Sequence, residues 1–363
     1  MIMGVVMNDL KLIVLDNIKE VGHEVDDYLK KMNKVDSSYI MKVTEDRFSN
    51  GEGKIRIDET IRDKDVFIMS DIGNYGETYQ MHGLEVHMGP DEHFQDIKRA
   101  ISALSGYARR ITVVMPLLYQ SRQDKRRGRE SLDCAIALQE LERLKVNHII
   151  TFDCHQKEVS NAIPNLPFEN IYPTNSILED LVDDISIKNA LIISPDMGAM
   201  ERARYYADML KLDVGVFYKR RDLSKVVNGK NPIVEHAYMG ADVNNKTCIV
   251  VDDMIASGSS MIEVGEKLKE RGAKEVIFIA SFALFTEGID RFDEAYKNKI
   301  FTRLYTTNLT YIPSNIKNKK WLKTVDCSKR IAELINAIHK GKSVSKIIHE
   351  SEKIFKLIND KRF

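Results

Sequence analysis

The fourteen residues 247–260, TCIVVDDMIASGSS, restrict the fold more than any other stretch of the chain. Residues 248–251 are apolar enough for a strand buried on both faces, and Asp252 and Asp253 follow at its carboxyl end. Open α/β sheets bind their ligands at that end. Residues 256–260 are small, and residues 261–271 carry apolar side chains at helical spacing up to a stop at Gly272. The unit reads strand, acidic pair, small-residue loop, helix.

Each part of that unit has a chemical use. Gly258 can take a positive φ without a Cβ penalty, its neighbours let a ligand reach the backbone, and the loop amides precede a helix N-terminus, where an anion is favoured. The helix end contributes only about 0.3–1 kcal/mol when exposed, so backbone amides and the hydroxyls of Ser257, Ser259 and Ser260 must supply most of the hold on a phosphate. The two carboxylates suit vicinal hydroxyls, where a hydrogen bond to a charged acceptor contributes about 1.5–3 kcal/mol. A sugar phosphate carries both groups at this separation. The nucleoside-triphosphate P-loop does not fit, because no lysine follows Gly258, and the dinucleotide fingerprint lacks its spaced glycines. The plainer alternative, a strand ending in solvated aspartates, explains neither the small-residue loop nor the helix start.

At 363 residues the chain has room for two domains, and 43% hydrophobic with 30% charged residues is the balance of a soluble protein. Lys plus Arg and Asp plus Glu number 54 each, so no net charge draws the chain to nucleic acid or membrane, and any basic site is local. Cys134, Cys154, Cys248 and Cys327 form no C-x-x-C pair, which points to reduced thiols in a cytoplasmic protein. The first seventeen residues lack a basic n-region and meet Asp9 and Lys11 too early for a signal peptide. No apolar run nears the roughly 18 residues that span a bilayer.

Apolar periodicity predicts strands at 12–15, 56–61, 66–69, 111–115 and 146–152, with helices over 21–32, 94–108 and 132–144. The Gly- and Pro-containing segment 71–91 reads as a loop, and 164–173, with three prolines, as a domain connection. Beyond it, helices at 177–185, 198–210 and 261–271 alternate with strands at 190–194, 214–218, 236–239, 248–251, 276–280, 303–305 and 321–325, and a hairpin is expected through 228–232. Helices at 328–339 and 344–358 follow. Alternation of this kind predicts an α/β fold of two similar halves, 1–163 and 164–363, each a mainly parallel sheet flanked by helices. The last segment is expected to pack back on the first half.

Four further clusters fall directly after predicted strands. Residues 121–130, SRQDKRRGRE, hold five basic residues in ten; such runs are usually solvated, but this one follows a strand's carboxyl end. Asp153-Cys154-His155 ends another strand, where the histidine could hold a metal or a phosphate. Ser194-Pro195-Asp196-Met197-Gly198 repeats the order of strand, aspartate, glycine and helix, so Asp196 suits a divalent cation, a sugar, or a helix N-cap. Lys219-Arg220-Arg221 closes the next strand, and phosphoryl or pyrophosphoryl transfer needs cations placed on developing charge.

Together these residues resemble the ribose-phosphate pyrophosphokinase (phosphoribosyl pyrophosphate synthetase) family, relatives of the type I phosphoribosyltransferases, over residues 12–345 or so. The resemblance implies two type I phosphoribosyltransferase-like domains. V-V-D-D-M-I-A-S-G-S-S looks like the family's ribose-phosphate loop, implying that Asp252 and Asp253 hold the ribose hydroxyls and Ala256, Ser257, Gly258, Ser259 and Ser260 the 5-phosphate. Phe48-Ser49-Asn50-Gly51-Glu52 matches a family motif that contributes to the ATP site of a neighbouring subunit. Arg122-Gln123-Asp124-Lys125 matches a second ATP motif, implying Arg122, Gln123 and Lys125 in ATP binding. His155 and Asp196 are implied as Mg²⁺ ligands, Lys219 as the catalytic cation, and Arg221 as a ribose-phosphate and transition-state contact.

The activity so implied is transfer of pyrophosphate from ATP to ribose 5-phosphate, giving phosphoribosyl pyrophosphate and AMP. Mg²⁺ is the implied cofactor and a homo-oligomer, a dimer or a hexamer built of dimers, the implied assembly. The sequence departs from the family pattern at Ala256, where an acidic residue is usual, at residues 129–132, and in a longer 71–91 segment. Two rival readings exist. A phosphoribosyltransferase consuming phosphoribosyl pyrophosphate would have no use for residues 121–130 or for doubled halves. A non-catalytic regulatory homologue would have no use for Lys219, Arg221, His155 and Asp196 together.

Overall fold

The computed structural model describes residues 9–126, 128–184, 187–221, 233–348 and 354–355, with backbone alone at 219–221 and 233–236. The chain forms two compact units. One comprises Met1–Pro173, Asn308–Pro313 and Asp326–His349, the other Thr174–Thr307, Ser314–Val325 and Glu350–Phe363.

In the first unit the elements run β1 (Leu10–Val14), α1 (Lys19–Asn33), β2 (Val43–Arg47), β3 (Gly53–Ile57), β4 (Asp65–Met69), β5 (Thr78–Met81), β6 (Leu84–His87), α2 (Pro90–Leu104), β7 (Arg110–Val114), α3 (Asp133–Arg143), β8 (His148–Phe152) and β9 (Phe168–Ile171). Five of the strands form a parallel sheet in the order β1-β4-β7-β8-β9. Their near-continuous apolar runs, such as DVFIM in β4, follow from burial on both faces. One core joins Ile13, Ile68 and Val113 of the sheet to Phe94, Ile97 and Ile101 of α2 and Leu138 and Leu141 of α3.

The second unit holds α4 (Thr174–Asp184), β10 (Ala190–Ser194), α5 (Met200–Leu210), β11 (Val214–Arg221), β12 (Ile233–Met239), β13 (Thr247–Ile255), α6 (Ser259–Glu270), β14 (Glu275–Ala283), α7 (Asp290–Lys297), β15 (Arg303–Thr307), α8 (Ser314–Lys317) and β16 (Leu322–Val325). Its sheet order is β12-β11-β10-β13-β14-β15-β16, parallel except for the antiparallel β11–β12 pair. The chain then returns to the first unit as α9 (Ser328–His339), which packs on α1, and α10 (Ser345–Ile348). The fold is therefore α/β, with parallel sheets flanked by helices in both units.

Several expectations are corrected. Residues 71–91 are not a plain loop: β5 and β6 pair antiparallel around His82 (φ 50°) and Gly83 (φ 78°). Positive φ at both central positions is the requirement of a type I′ hairpin, and His-Gly hides it because the usual Asn-Gly or Asp-Gly is missing. Residues 164–173 are not a domain connection, because β9 pairs with β8 from Ile149↔Phe168 to Phe152↔Ile171, which carries the first unit past 163 to Pro173. β2 and α7 have no place in the periodicity, since VTEDR has no fully buried residue and DRFDEAYK buries only Phe292 and Ala295. The hairpin expected at 228–232 and most of the helix expected at 344–358 lie outside the described residues.

Candidate active site

In the second sheet the strand order reverses between β10 and β13: the chain steps from β10 outward to β11 and then back to β13 on β10's other side. Such a switch point, at the carboxyl ends of parallel strands, is where open α/β sheets take their ligands. Asp196 follows β10 and the acidic pair lies near the end of β13. Lys219 and Arg221 occupy the last residues of β11, which is parallel to β10 and extends past the final pairing, Ser194↔Val216. The three elements thus end at one sheet edge.

β13 runs four residues beyond the expected strand, to Ile255, because β14 pairs with it as far as Ile255↔Ala283. Pairing with β10 stops at Ile193↔Val250. Asp252 and Asp253 therefore sit on strand backbone bonded on the β14 side only, at the switch point. Asp253 is buried; its Oδ1 accepts the N–H of Met254 at 2.8 Å, and its Oδ2 lies 3.9 Å from Arg202 of α5. Asp252 is half-buried and its Oδ1 accepts the N–H of Asp253 at 2.9 Å. Burial, and next the neighbouring Asp253 charge, push the Asp252 carboxyl well above the usual carboxylate range. A strand end that needs two carboxylates side by side is built to receive hydrogen-bond donors.

The loop after β13 is fixed by packing. Gly258 takes φ 80° as the N-cap of α6, and a Cβ there would lie 2.2 Å from Cζ of Phe292. Phe292 is fully buried, stacked on Trp321 (centroids 5.6 Å) and edge-on to Phe285 and Phe301. Asp293 accepts hydrogen bonds from Trp321 Nε1 (2.8 Å) and Lys319 Nζ (2.6 Å), which holds that aromatic floor in place. Above it, Ser257 and Ser259 hydroxyls are 3.1 Å apart, Ser259 and Ser260 are exposed, and Arg291 of α7 donates to the Ser259 hydroxyl. Small side chains, helix-start amides and an arginine make a pocket edge suited to a phosphate.

Arg291 and Arg202 escape sequence reasoning. No motif surrounds them, and only the folding of α5 and α7 against this edge brings them to it.

Asp196 is exposed, and its Oδ1 accepts the N–H groups of Gly198 (2.8 Å) and Ala199 (3.0 Å) while its own carbonyl accepts the Ser194 hydroxyl at 2.7 Å. One oxygen thus caps the turn into α5, and the carboxylate has a second. Lys219 and Arg221 are placed by backbone only; β11 has an irregular register between Arg220 and Arg221.

The first unit holds the other expected residues. Phe48 to Glu52 close the β2–β3 hairpin, with Phe48 N–H donating to Glu52 O and Gly51 N–H (φ 91°) to Phe48 O, both at 2.8 Å. Asn50 bridges to Glu52 twice, at 3.0 and 3.1 Å, and Phe48 is 49% exposed. Arg122, Gln123 and Lys125 are exposed in the loop after β7. His155 is exposed two residues past Asp153 (φ 37°), whose N–H donates to Ile171 O after β8. β7 and β8 are parallel, so 122–125 and His155 leave the same edge of the first sheet.

Among the described residues no three or more His, Cys, Asp or Glu side chains gather as a metal-ligating group. Mg²⁺ does not need such a cage: it is commonly held by one or two protein ligands and completes its octahedron with waters and substrate phosphates. The exposed Asp196 carboxylate fits an ion bound in that way.

Residues 10–144 match the N-terminal domain of ribose phosphate pyrophosphokinase, and residues 170–307 match the phosphoribosyl transferase domain. Ribose-phosphate pyrophosphokinase 2 of Schizosaccharomyces pombe is 30% identical over 313 residues, covering 84% of this chain and 88% of the relative. Ribose-phosphate pyrophosphokinase 4 of Saccharomyces cerevisiae is 28% identical over 341 residues, covering 93% and 94%. Phosphoribosylpyrophosphate synthetase from Mycobacterium smegmatis has the same fold, with a TM-score of 0.74 over 92% of this chain and 99% of that one, at 24% identity. With both domains matched in order and the curated relatives covered nearly end to end, the chain belongs to the ribose-phosphate pyrophosphokinase family.

Proposed function

We propose that the protein is a ribose-phosphate diphosphokinase, which transfers the β,γ-diphosphoryl group of ATP to the anomeric hydroxyl of ribose 5-phosphate. The observation that carries the reading is the second sheet's edge, where the carboxylate pair and small-residue loop of β13 and α6 leave the same side of the sheet as the end of β11, with Lys219 and Arg221. Family membership supports the same reading. The alternatives would leave either the cationic strand or the first unit's loops without a role.

Asp252 and Asp253 accept the ribose 2- and 3-hydroxyls, and the 256–260 loop with Arg291 holds the 5-phosphate, so the sugar is fixed with its anomeric carbon away from the loop. Phe48 stacks on adenine, while Asn50, Gly51, Glu52, Arg122, Gln123 and Lys125 orient the nucleotide. The anomeric oxygen attacks the β-phosphorus, the bond from that phosphorus to the oxygen it shares with the α-phosphate breaks, AMP leaves, and the hydroxyl proton is released. Lys219 and Arg221 place positive charge on the transferring group, where an arginine can be worth about a thousandfold or more in rate. Asp196 and His155 would each be able to hold Mg²⁺, which would neutralise phosphate charge as it redistributes. If the Phe48 loop serves a neighbouring subunit, as in the resemblance, the working form is at least a dimer.

Incubation with ATP, Mg²⁺ and ribose 5-phosphate should yield AMP and phosphoribosyl pyrophosphate in equal amounts. Lys219→Ala should cut turnover at least about a thousandfold with an unchanged melting temperature. AMP formation that ignores the sugar, or a fully active Lys219→Ala, would overturn the assignment.

A further inference from the structure

The β5–β6 hairpin has no place in the reaction as described, yet it is built against the Phe48 loop. His82 N–H at the hairpin turn donates to Ser49 O at 2.9 Å. A Cβ on Gly51 would come within 3.0 Å of Met81 Sδ and 3.7 Å of the Tyr79 hydroxyl, so the loop backbone rests directly on both side chains. The Tyr79 hydroxyl is 3.7 Å from Met81 Sδ, and the Arg47 guanidinium stands 5.4 Å over the Tyr79 ring.

The base of the loop is held by α2. Arg47 and Arg99 both pair with the buried Asp96, and Arg47 reaches Met88 Sδ at 3.8 Å. The hairpin is itself closed at its base by Met88 N–H to Glu77 O (2.8 Å) and His87 Nδ1 to Tyr75 O (2.7 Å). A solvent-exposed loop of five residues would otherwise fluctuate. Here its tip rests on the β5–β6 hairpin while its base is tied to α2.

We propose that the β5–β6 hairpin is a positioning element for the nucleotide loop, with Met81 and Tyr79 setting the height and pitch of the 48–52 backbone and so the orientation of Phe48 and Asn50 toward adenine. Ordering the loop before ATP arrives lowers the entropy lost on binding and shows as nucleotide affinity. Ribose 5-phosphate affinity, set by the 252–260 segment, is untouched. The inference rests on the nucleotide role given to Phe48 to Glu52.

Met81→Ala removes the support under Gly51, and Met81→Leu restores its bulk. The alanine variant is expected to raise the KM for ATP about fivefold or more and to leave the KM for ribose 5-phosphate within about twofold, and the leucine variant to recover most of the loss. Hydrogen exchange at the Gly51 amide, read in the intact protein without substrates, should quicken in Met81→Ala relative to the wild type. An unchanged ATP KM in a folded Met81→Ala protein, a parallel rise of both KM values, or unaltered Gly51 exchange would each overturn the proposal. If the wild type forms no AMP from ATP and ribose 5-phosphate, the nucleotide reading fails, while quickened Gly51 exchange still supports the clasp of hairpin on loop.

Discussion

The Asp71 carboxylate accepts the backbone N–H of Tyr311 at 2.7 Å, joining positions 240 residues apart. It also accepts from Gly73 N–H at 2.9 Å and from the Thr310 hydroxyl at 3.1 Å, so one side chain ties segment 308–313 to the carboxyl end of β4. Burial pushes this carboxyl up to about 7, and the three donors oppose the shift without cancelling it. The folded protein therefore keeps a proton that the unfolded chain loses near its ordinary value of 3.8. The corresponding stability is fully present below that value and is lost as pH rises through about 7. Urea unfolding between about pH 5 and about pH 8 should show this loss, on the order of 2 kcal/mol. Glu45, raised to about 8 by burial and by Asp16, adds a slope of the same sign. Asp71→Asn should remove its own share of the slope and lower stability overall, because the amide turns an N–H toward that of Tyr311. An unchanged slope in the variant would refute the assignment.

Asp65 titrates in the opposite sense. Burial at the start of β4 works against its ionisation, but hydrogen bonds from His339 Nδ1 (2.7 Å) and Arg110 outweigh burial and hold the carboxyl below its usual range. Arg110 also donates to Ile338 O at 3.1 Å, so the cluster fastens α9 to the first sheet. A lowered pKa contributes stability that is present above the unfolded value and disappears as pH falls through the folded one. Asp65→Asn should cost about 3 kcal/mol at neutral pH, because it leaves buried donors and a guanidinium without their charge partner. It should also flatten the loss of stability on acidification. Urea midpoints at about pH 7 and about pH 3 test both points.

The second unit was the more legible in sequence because its candidate residues sit where strand periodicity stops. Asp196, Lys219, Arg221 and the 252–260 stretch each follow a run of buried β residues such as ALIIS or TCIVV, and the alternation of those runs with helices gives the parallel topology. Elements held by long-range contacts left no such trace. β9 reads FENI, with one buried residue, and is a strand only because β8 offers an edge. α7 buries Phe292 alone among its large side chains, so the helix that brings Arg291 to the loop is nearly invisible to periodicity. The type I′ turn at His82-Gly83 carries a residue that rarely marks such turns. The tie between Asp71 and Tyr311 could not be read from either partner.

Gly258 is the position at which the phosphate loop is least tolerant. Alanine would pay for φ 80° by about 1 kcal/mol and would also place its methyl 2.2 Å from a fully buried phenylalanine ring, which is closer than any non-bonded contact allows. The loop or the Phe285, Phe292, Phe301 and Trp321 cluster must move. Gly258→Ala should lower stability by about 2–4 kcal/mol and raise the KM for ribose 5-phosphate at least about tenfold. Adding Phe292→Leu vacates the clash, so the double variant should be less destabilised than the sum of the two single variants. Strict additivity in thermal melts would show that the contact with Phe292 does not limit the loop.

Asp252 couples the sugar site to pH through its neighbour. Ribose hydroxyls are best accepted by a carboxylate, yet burial first and the Asp253 charge second hold Asp252 in its protonated form to higher pH than an ordinary aspartate. The KM for ribose 5-phosphate should therefore fall as pH rises and Asp252 ionises. Asp253→Asn removes the second cause and leaves the first, so its KM should be higher at every pH, one acceptor having been lost, while the midpoint of the profile moves to lower pH. Asp252→Asn should abolish the pH-dependent step altogether. Each profile is measured at saturating ATP and corrected for the phosphate ionisation of the sugar itself, which is common to all three proteins. A midpoint that stays fixed in Asp253→Asn would mean that the two carboxylates do not feel one another's charge, and the pairing of acids at the end of β13 would then need a different explanation.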